Sequence, residues 1–215
     1  MWTPIASALS ASARGGGYTA NAAINDRRIK ALGTVSAVNI GSMFRNGWLN
    51  NVKDADATAL LVQGSDARTG SAVGGKEAIF PLAPLKKEDA PTPELAEAWE
   101  YYHTPRAQYR TAPGYMTARS LNQIITYDAY NKAEGFLTQP LLMVAGSEAG
   151  SKWMSDDLIK RAGSKRKEMY IVKGANHMSM YDGEKYIDEA ISKLAPFFKE
   201  SLSGTTKSAG SAAAD

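Results

Sequence analysis

Cysteine is absent from the 215 residues. That excludes disulfides, thiolate metal sites and a cysteine nucleophile together. Histidine is scarce: His103 and His177 are the only two, so a multi-histidine metal site would need both. No apolar run approaches the roughly 18 residues that a membrane-spanning helix needs, so no membrane partner is expected. An excess of one charge is lacking too. Lys and Arg number 25 against 22 Asp and Glu, a net charge of +3. With no basic block, nothing marks a nucleic-acid partner. The opening MWTPIASALSASARGGGY has no charged segment leading into a leucine-rich one, which argues against a secretory signal. Its Ser and Ala content, with no acid before Asp26, is faintly like a mitochondrial transit peptide. An arbitrary start on a cytoplasmic protein is the plainer reading.

What is present is an ordinary globular balance. Hydrophobic residues are 44% of the chain, enough to build the core of one domain. Residues 1–14 read as irregular, 15–202 as the domain, and 203–215 (SGTTKSAGSAAAD) as a disordered tail with nothing large to bury. Small residues after Gly15-Gly16-Gly17 suit a helix packed tightly on a sheet, stopped at Asn25-Asp26. Arg28 to Val38 is nearly continuous in apolar character, as a strand buried on both faces should be. Residues 39–139 read as an insertion of helix and loop, with a helix between Pro93 and Pro105. Then come a strand at Leu141–Ala145, a helix from Ser155, a strand at Lys167–Lys173 and a long helix from Gly183 to Leu202. Strand and helix in alternation predict parallel βαβ units, hence an α/β fold.

Sites in parallel α/β folds lie at the carboxyl ends of strands. Two loops there carry polar groups: Gly146-Ser147-Glu148-Ala149-Gly150-Ser151, and Gly174-Ala175-Asn176-His177. A carboxylate on one and an imidazole on the next suit a hydrolytic triad, the acid orienting the base. Plainer roles stand beside this. His177 could be an ordinary loop residue and Glu148 a solvated carboxylate. His103, after Tyr101-Tyr102, suits a helix end or an aromatic stack. The triple glycine could cradle phosphate but lacks the Lys-Ser/Thr of a P-loop. Trp48, Trp99, Tyr101, Tyr102, Tyr109 and Tyr115 either line an apolar pocket or pack the insertion.

The stretches GGGYTANAAINDRRIKALGTVSAVNIGSMFRNGW, AWEYYHTPR, PLLMVAGSEAGSKWMS and YIVKGANHMSMYD resemble the second half of the α/β-hydrolase fold. They are most similar to its dienelactone-hydrolase-like branch of bacteria and fungi. The resemblance implies a mostly parallel sheet carrying a helical lid over residues 39–139. It implies His177 as catalytic base and Glu148 as the acid, although many relatives show an Asp near the place of Gly150. It implies a nucleophile at Ser12, where the branch commonly has Cys, and an oxyanion-hole N–H at Ala13. Arg14 stands where a small residue is usual. No cofactor and no metal are implied. The substrate implied is a small molecule with an ester, thioester or related acyl or C–C bond.

Departures from the family leave two readings open. The strands that precede the elbow in the family are not seen, and TPIASALSAS is a poor central strand. The second oxyanion donor comes from a loop after the family's third strand, and losing one donor costs about 10²–10³ in rate. The chain is therefore either a hydrolase or a truncated, inactive family fragment that binds partners. An unpaired edge at Ile29–Val38 would favour self-association.

Overall fold

The computed structural model describes residues 7–203; the expected tail beyond Ser203 lies outside them. The elements are β1 (Ser7–Ser12), α1 (Ala13–Asn25), β2 (Ile29–Val35), α2 (Ile40–Asn46), α3 (Thr58–Ala72), β3 (Ile79–Pro81), α4 (Pro93–His103), β4 (Tyr115–Thr117), α5 (Leu121–Thr126), α6 (Ala133–Phe136), β5 (Leu141–Gly146), α7 (Lys152–Arg161), β6 (Lys167–Val172), α8 (Ser179–Asp182) and α9 (Glu184–Ser203). Short 3₁₀ turns lie at Asp54–Ala57, Lys87–Asp89 and Ala118–Ser120. Two compact units result: one from the residues up to Ile40 and those from Asp128 on, the other from Gly41–Tyr127.

The first unit is built on a parallel sheet of order β1-β2-β5-β6. Its strands end in register: Ser12 pairs with Val35, Val35 with Val144, and Gly146 with Val172. β5 is buried at all six positions, which is why it reads LLMVAG without a polar side chain. Helix α9 packs on β2, β5 and β6. Its stripe of Tyr186, Ala190, Leu194, Phe197 and Phe198 joins Leu142, Val144 and Val172 in one apolar cluster. Fully burying a large side chain there contributes about 1.5–3 kcal/mol.

Two expectations are corrected. Residues 1–14, irregular by composition, contain β1, which pairs with β2 over Ser7–Ser12. SALSAS has little intrinsic strand preference, and the ladder to β2 supplies what composition does not. Consequently β2 is not an open edge. Among the described residues it lies between β1 and β5, and the edges are β1 and β6.

Helix α1 shows what the glycines are for. A Cβ on Gly17 would sit 2.2 Å from the Val38 carbonyl oxygen, and one on Gly16 would sit 3.0 Å from Ala37. These two positions let the helix lie directly on the loop after β2. The segment before β5 is pinned by charge. Arg161 donates to Asp128 (2.9 Å), Glu134 (2.9 Å), Asp157 (3.3 Å) and the Tyr130 carbonyl (2.8 Å). Asp128 also accepts from Asn39 at 2.7 Å and from the Tyr130 N–H at 2.9 Å. Burial alone would raise the Asp128 carboxyl, but these donors hold it below the usual carboxylate range. Arg161→Met is expected to destabilise by about 1–2 kcal/mol, because the half-buried Asp128 keeps only its Asn39 and Tyr130 donors. Urea unfolding of the variant and of Asp128→Asn/Arg161→Met checks this, the double variant recovering part of the loss.

Helix and loop are expected over residues 39–139; the Gly41–Tyr127 unit carries in addition a two-stranded antiparallel ribbon, β3 with β4. Helix α4 starts as its sequence dictates: Thr92 accepts the Leu95 N–H at 3.2 Å and Pro93 follows it. No helix among the described residues is long and apolar enough to cross a membrane.

Candidate active site

The carboxyl ends of β1, β2, β5 and β6 lie side by side at one end of the sheet. β1 gives way to α1 without an intervening loop. The turn falls on Ala13, a residue with φ +47, in the left-handed region that β-carbon sterics disfavour. Its carbonyl accepts the Val38 N–H at 2.8 Å, which ties the turn to the loop after β2. That loop holds a second strained residue, Ser36, also with φ +47. Its N–H donates to Val144 at 2.7 Å, while its hydroxyl is buried without a protein partner among the described residues. Two strained non-glycine residues side by side at strand ends are a pattern typical of functional sites.

The loops after β5 and β6 are stapled together. The Ser147 N–H donates to Val172 (3.0 Å), the Glu148 N–H to Ala175 (2.9 Å) and the Gly174 N–H to the Ser147 hydroxyl (2.8 Å). Gly146 permits this approach, since a Cβ there would lie 2.1 Å from the Ala175 carbonyl oxygen. His177, in the second loop, is 2% exposed. Its Nδ1 shares a hydrogen bond with the Ser151 hydroxyl at 2.5 Å, and its Nε2 with the Tyr181 hydroxyl at 2.7 Å. Tyr181 meets the imidazole edge-on, ring centroids 5.1 Å apart.

Burial pushes the imidazole down to about 3, and the nearby positive charge of Arg14 acts in the same direction. Arg14 is the residue after the strained alanine, so this electrostatic coupling ties the turn to the histidine. At neutral pH His177 is an uncharged imidazole, one ring nitrogen donating and the other accepting in its hydrogen bonds with Ser151 and Tyr181.

The four residues expected from the sequence fall as follows. His177 is buried between Ser151 and Tyr181. Ala13 is the turn itself. Ser12 is extended (φ −107, ψ 163), exposed, and caps no N–H of α1 with its hydroxyl. It precedes the strained position instead of occupying it. Glu148 is exposed; its carboxylate accepts from Ser147 at 3.2 Å, and it is not brought onto the imidazole. Ser151 stands at Nδ1 in its place. Ser36, Ser151 and Tyr181 were not singled out from sequence. Tyr181 follows His177 by four residues, the spacing that brings two side chains together on a helical turn, and this was the one available signal. Among the described residues no cluster of His, Asp and Glu is arranged to hold a metal ion.

No family model matches the chain. The uncharacterized protein YcjY of Escherichia coli K12 is 69% identical over 188 residues, which is 87% of this chain and 61% of that protein. The uncharacterized protein PA2218 of Pseudomonas aeruginosa is 27% identical over 191 residues, 87% of this chain and 50% of that one. The chain thus spans between half and two thirds of these relatives. The crystal structure of PA2218 superposes with a TM-score of 0.80 at 25% identity, covering 91% of this chain and 60% of its own. The α/β hydrolase GrgF from Penicillium sp. sh18 superposes at 0.69 and 16% identity, covering 91% and 64%. A parallel β1-β2-β5-β6 sheet, a strained turn between β1 and α1, a histidine loop after β6 and the likeness to GrgF give the described part of this chain the α/β-hydrolase fold.

Proposed function

We propose that this chain carries the acid–base half of an α/β-hydrolase site of the dienelactone-hydrolase-like type, with an alanine at the point where the fold presents its nucleophile. The observation that carries this is Ala13. It is the residue in the left-handed conformation between β1 and α1, and Ala11 and Gly15 are its small neighbours two residues away on either side. A side chain at such a turn projects at the top of the sheet, held by strain and preceding the first turn of a helix. A methyl there cannot attack a carbonyl. His177 supplies a neutral imidazole, Ser151 orients it through Nδ1, and Tyr181 occupies Nε2, the nitrogen that would otherwise serve the nucleophile. The site is therefore suited to holding a small ester or thioester without forming a covalent acyl intermediate.

The second reading is hydrolysis by attack from Ser12, favoured by its exposed hydroxyl. One experiment separates the two. Turnover of p-nitrophenyl acetate and butyrate is measured for the chain as it stands and for Ser12→Ala, His177→Ala and Ala13→Cys. A thiol-alkylating probe is followed for Ala13→Cys alone and combined with His177→Ala. The expected result is background turnover by the unmodified chain, unchanged in Ser12→Ala. The thiol of Ala13→Cys should alkylate at pH 7 at the same rate with and without His177, because Tyr181 holds Nε2 and burial keeps the imidazole from taking the thiol's proton. Turnover that disappears in Ser12→Ala would establish the second reading and remove the first.

A further inference from the structure

We propose that a depression on the Gly41–Tyr127 unit, walled by Arg68 and Arg119, binds a phosphate-type oxyanion. This rests on different residues from those of the proposed active site.

The depression is open to solvent, has a volume of about 710 Å³ and is lined by Arg68, Ser71, Ala72, Arg119, Ser120 and Gln123. Arg68, Ser71 and Ala72 share one face of α3 at spacings of three and four. Arg119 and Ser120 come from the 3₁₀ turn before α5, and Gln123 from α5 itself. The two sides are locked. Asn122 donates to the Leu61 carbonyl at 3.0 Å and to the Ser65 hydroxyl at 3.3 Å. Gly64 admits this contact, since a Cβ there would lie 2.6 Å from the Asn122 side-chain oxygen. The wall positions are thus set before any ligand arrives.

Two exposed guanidinium groups border this space. Arg68 Nε donates to the Arg119 carbonyl at 3.2 Å, and its terminal nitrogens have no partner among the described residues. Arg119 Nε lies 3.5 Å from Glu77, whose same oxygen accepts from Ser71 at 3.3 Å. That pair fixes the Arg119 head and again leaves its terminal nitrogens unpartnered among the described residues. Two cations meet one carboxylate, so the depression keeps a net positive charge that favours an anion. The free donors are two guanidinium edges, the Gln123 amide and the Ser120 hydroxyl, which Thr117 shares at 2.9 Å. Donors on several sides match the oxygens of a tetrahedral phosphate better than the two of a carboxylate. The volume exceeds what a bare anion fills, leaving room for an organic group.

The test is titration of the ¹⁵N-labelled full chain with inorganic phosphate, phenyl phosphate and acetate at low salt, following backbone amides and the arginine Nε–H signals. Expected are saturable shifts confined to α3, the 3₁₀ turn and α5. Affinity should fall at least tenfold in Arg68→Gln and in Arg119→Gln, and stay unchanged in Arg110→Gln, an exposed arginine elsewhere on the unit. Tighter binding of phenyl phosphate assigns the natural ligand to phosphate esters; equal binding assigns it to free phosphate. Should Arg119→Gln lose its fold with its Glu77 partner, Arg68→Gln alone decides. Absence of saturation, equal binding of acetate, or affinity unchanged by Arg68→Gln overturns the proposal.

Discussion

Lowering the pH from 7.5 to 5 is expected to cost this protein about 2 kcal/mol of stability, nearly all of it through His177. The imidazole titrates near 6.5 in the unfolded chain and is depressed to about 3 when folded. Between those values the unfolded state binds a proton that the folded state refuses. The stabilisation is thus fully present above pH 6.5 and drains away as pH falls toward 3, at a slope near 1.4 kcal/mol per unit. The carboxylates held low in the fold, Asp128 and Glu134 among them, lose their contribution only at lower pH, as they protonate. Urea unfolding at the two pH values reads the difference directly. His177→Gln should flatten it, and ¹H–¹³C spectra of the histidine ring should show a neutral imidazole down to pH 5. A ring that protonates near 6 would mean the site is open to water and that His177 is not held as described.

How much of this was legible follows from where the information lies. β5 was plain because six consecutive buried positions leave no room for polar residues, and α9 because its stripe repeats at helical spacing. The loops after β5 and β6 were found as polar interruptions at strand ends. β1 was missed: Ser, Ala and Leu carry no strand signature, and only pairing with β2 makes them extended. The resemblance puts the nucleophile at Ser12, counted back from the glycine run to the place of the family's Cys. Which residue adopts φ +47 is decided by how β1 meets α1, a tertiary matter that residue chemistry does not report. Glu148 is expected as the acid because it lies in the loop that supplies the family's acid and a carboxylate is the usual partner of a catalytic imidazole. The folded loop turns Glu148 outward and Ser151, 1% exposed, inward.

Gly146→Ala should lower stability by about 3 kcal/mol and Tm by roughly 6–12 °C, the largest effect expected of any single methyl in the first unit's sheet. The added Cβ would lie 2.1 Å from the Ala175 carbonyl oxygen and 2.7 Å from its carbon, and backbone atoms cannot swing aside as the end of a side chain can. The His177 loop would have to move away from β5. With it would go the Glu148–Ala175 and Ser147–Val172 hydrogen bonds and the short Ser151–His177 contact, which spans the same two loops. Gly135→Ala makes the control: its Cβ meets nothing within 4 Å, in helix α6, so a neutral or slightly stabilising change, up to about 1 kcal/mol, is expected. Calorimetry compares the two, and the pH dependence of stability adds a second readout. If Gly146→Ala admits water to the imidazole, the loss between pH 7.5 and 5 should shrink as well as the stability itself. A variant that is destabilised yet keeps the full pH dependence would show that the two loops can separate without exposing His177. The depressed imidazole would then be a property of its own pocket and not of the β5–β6 junction.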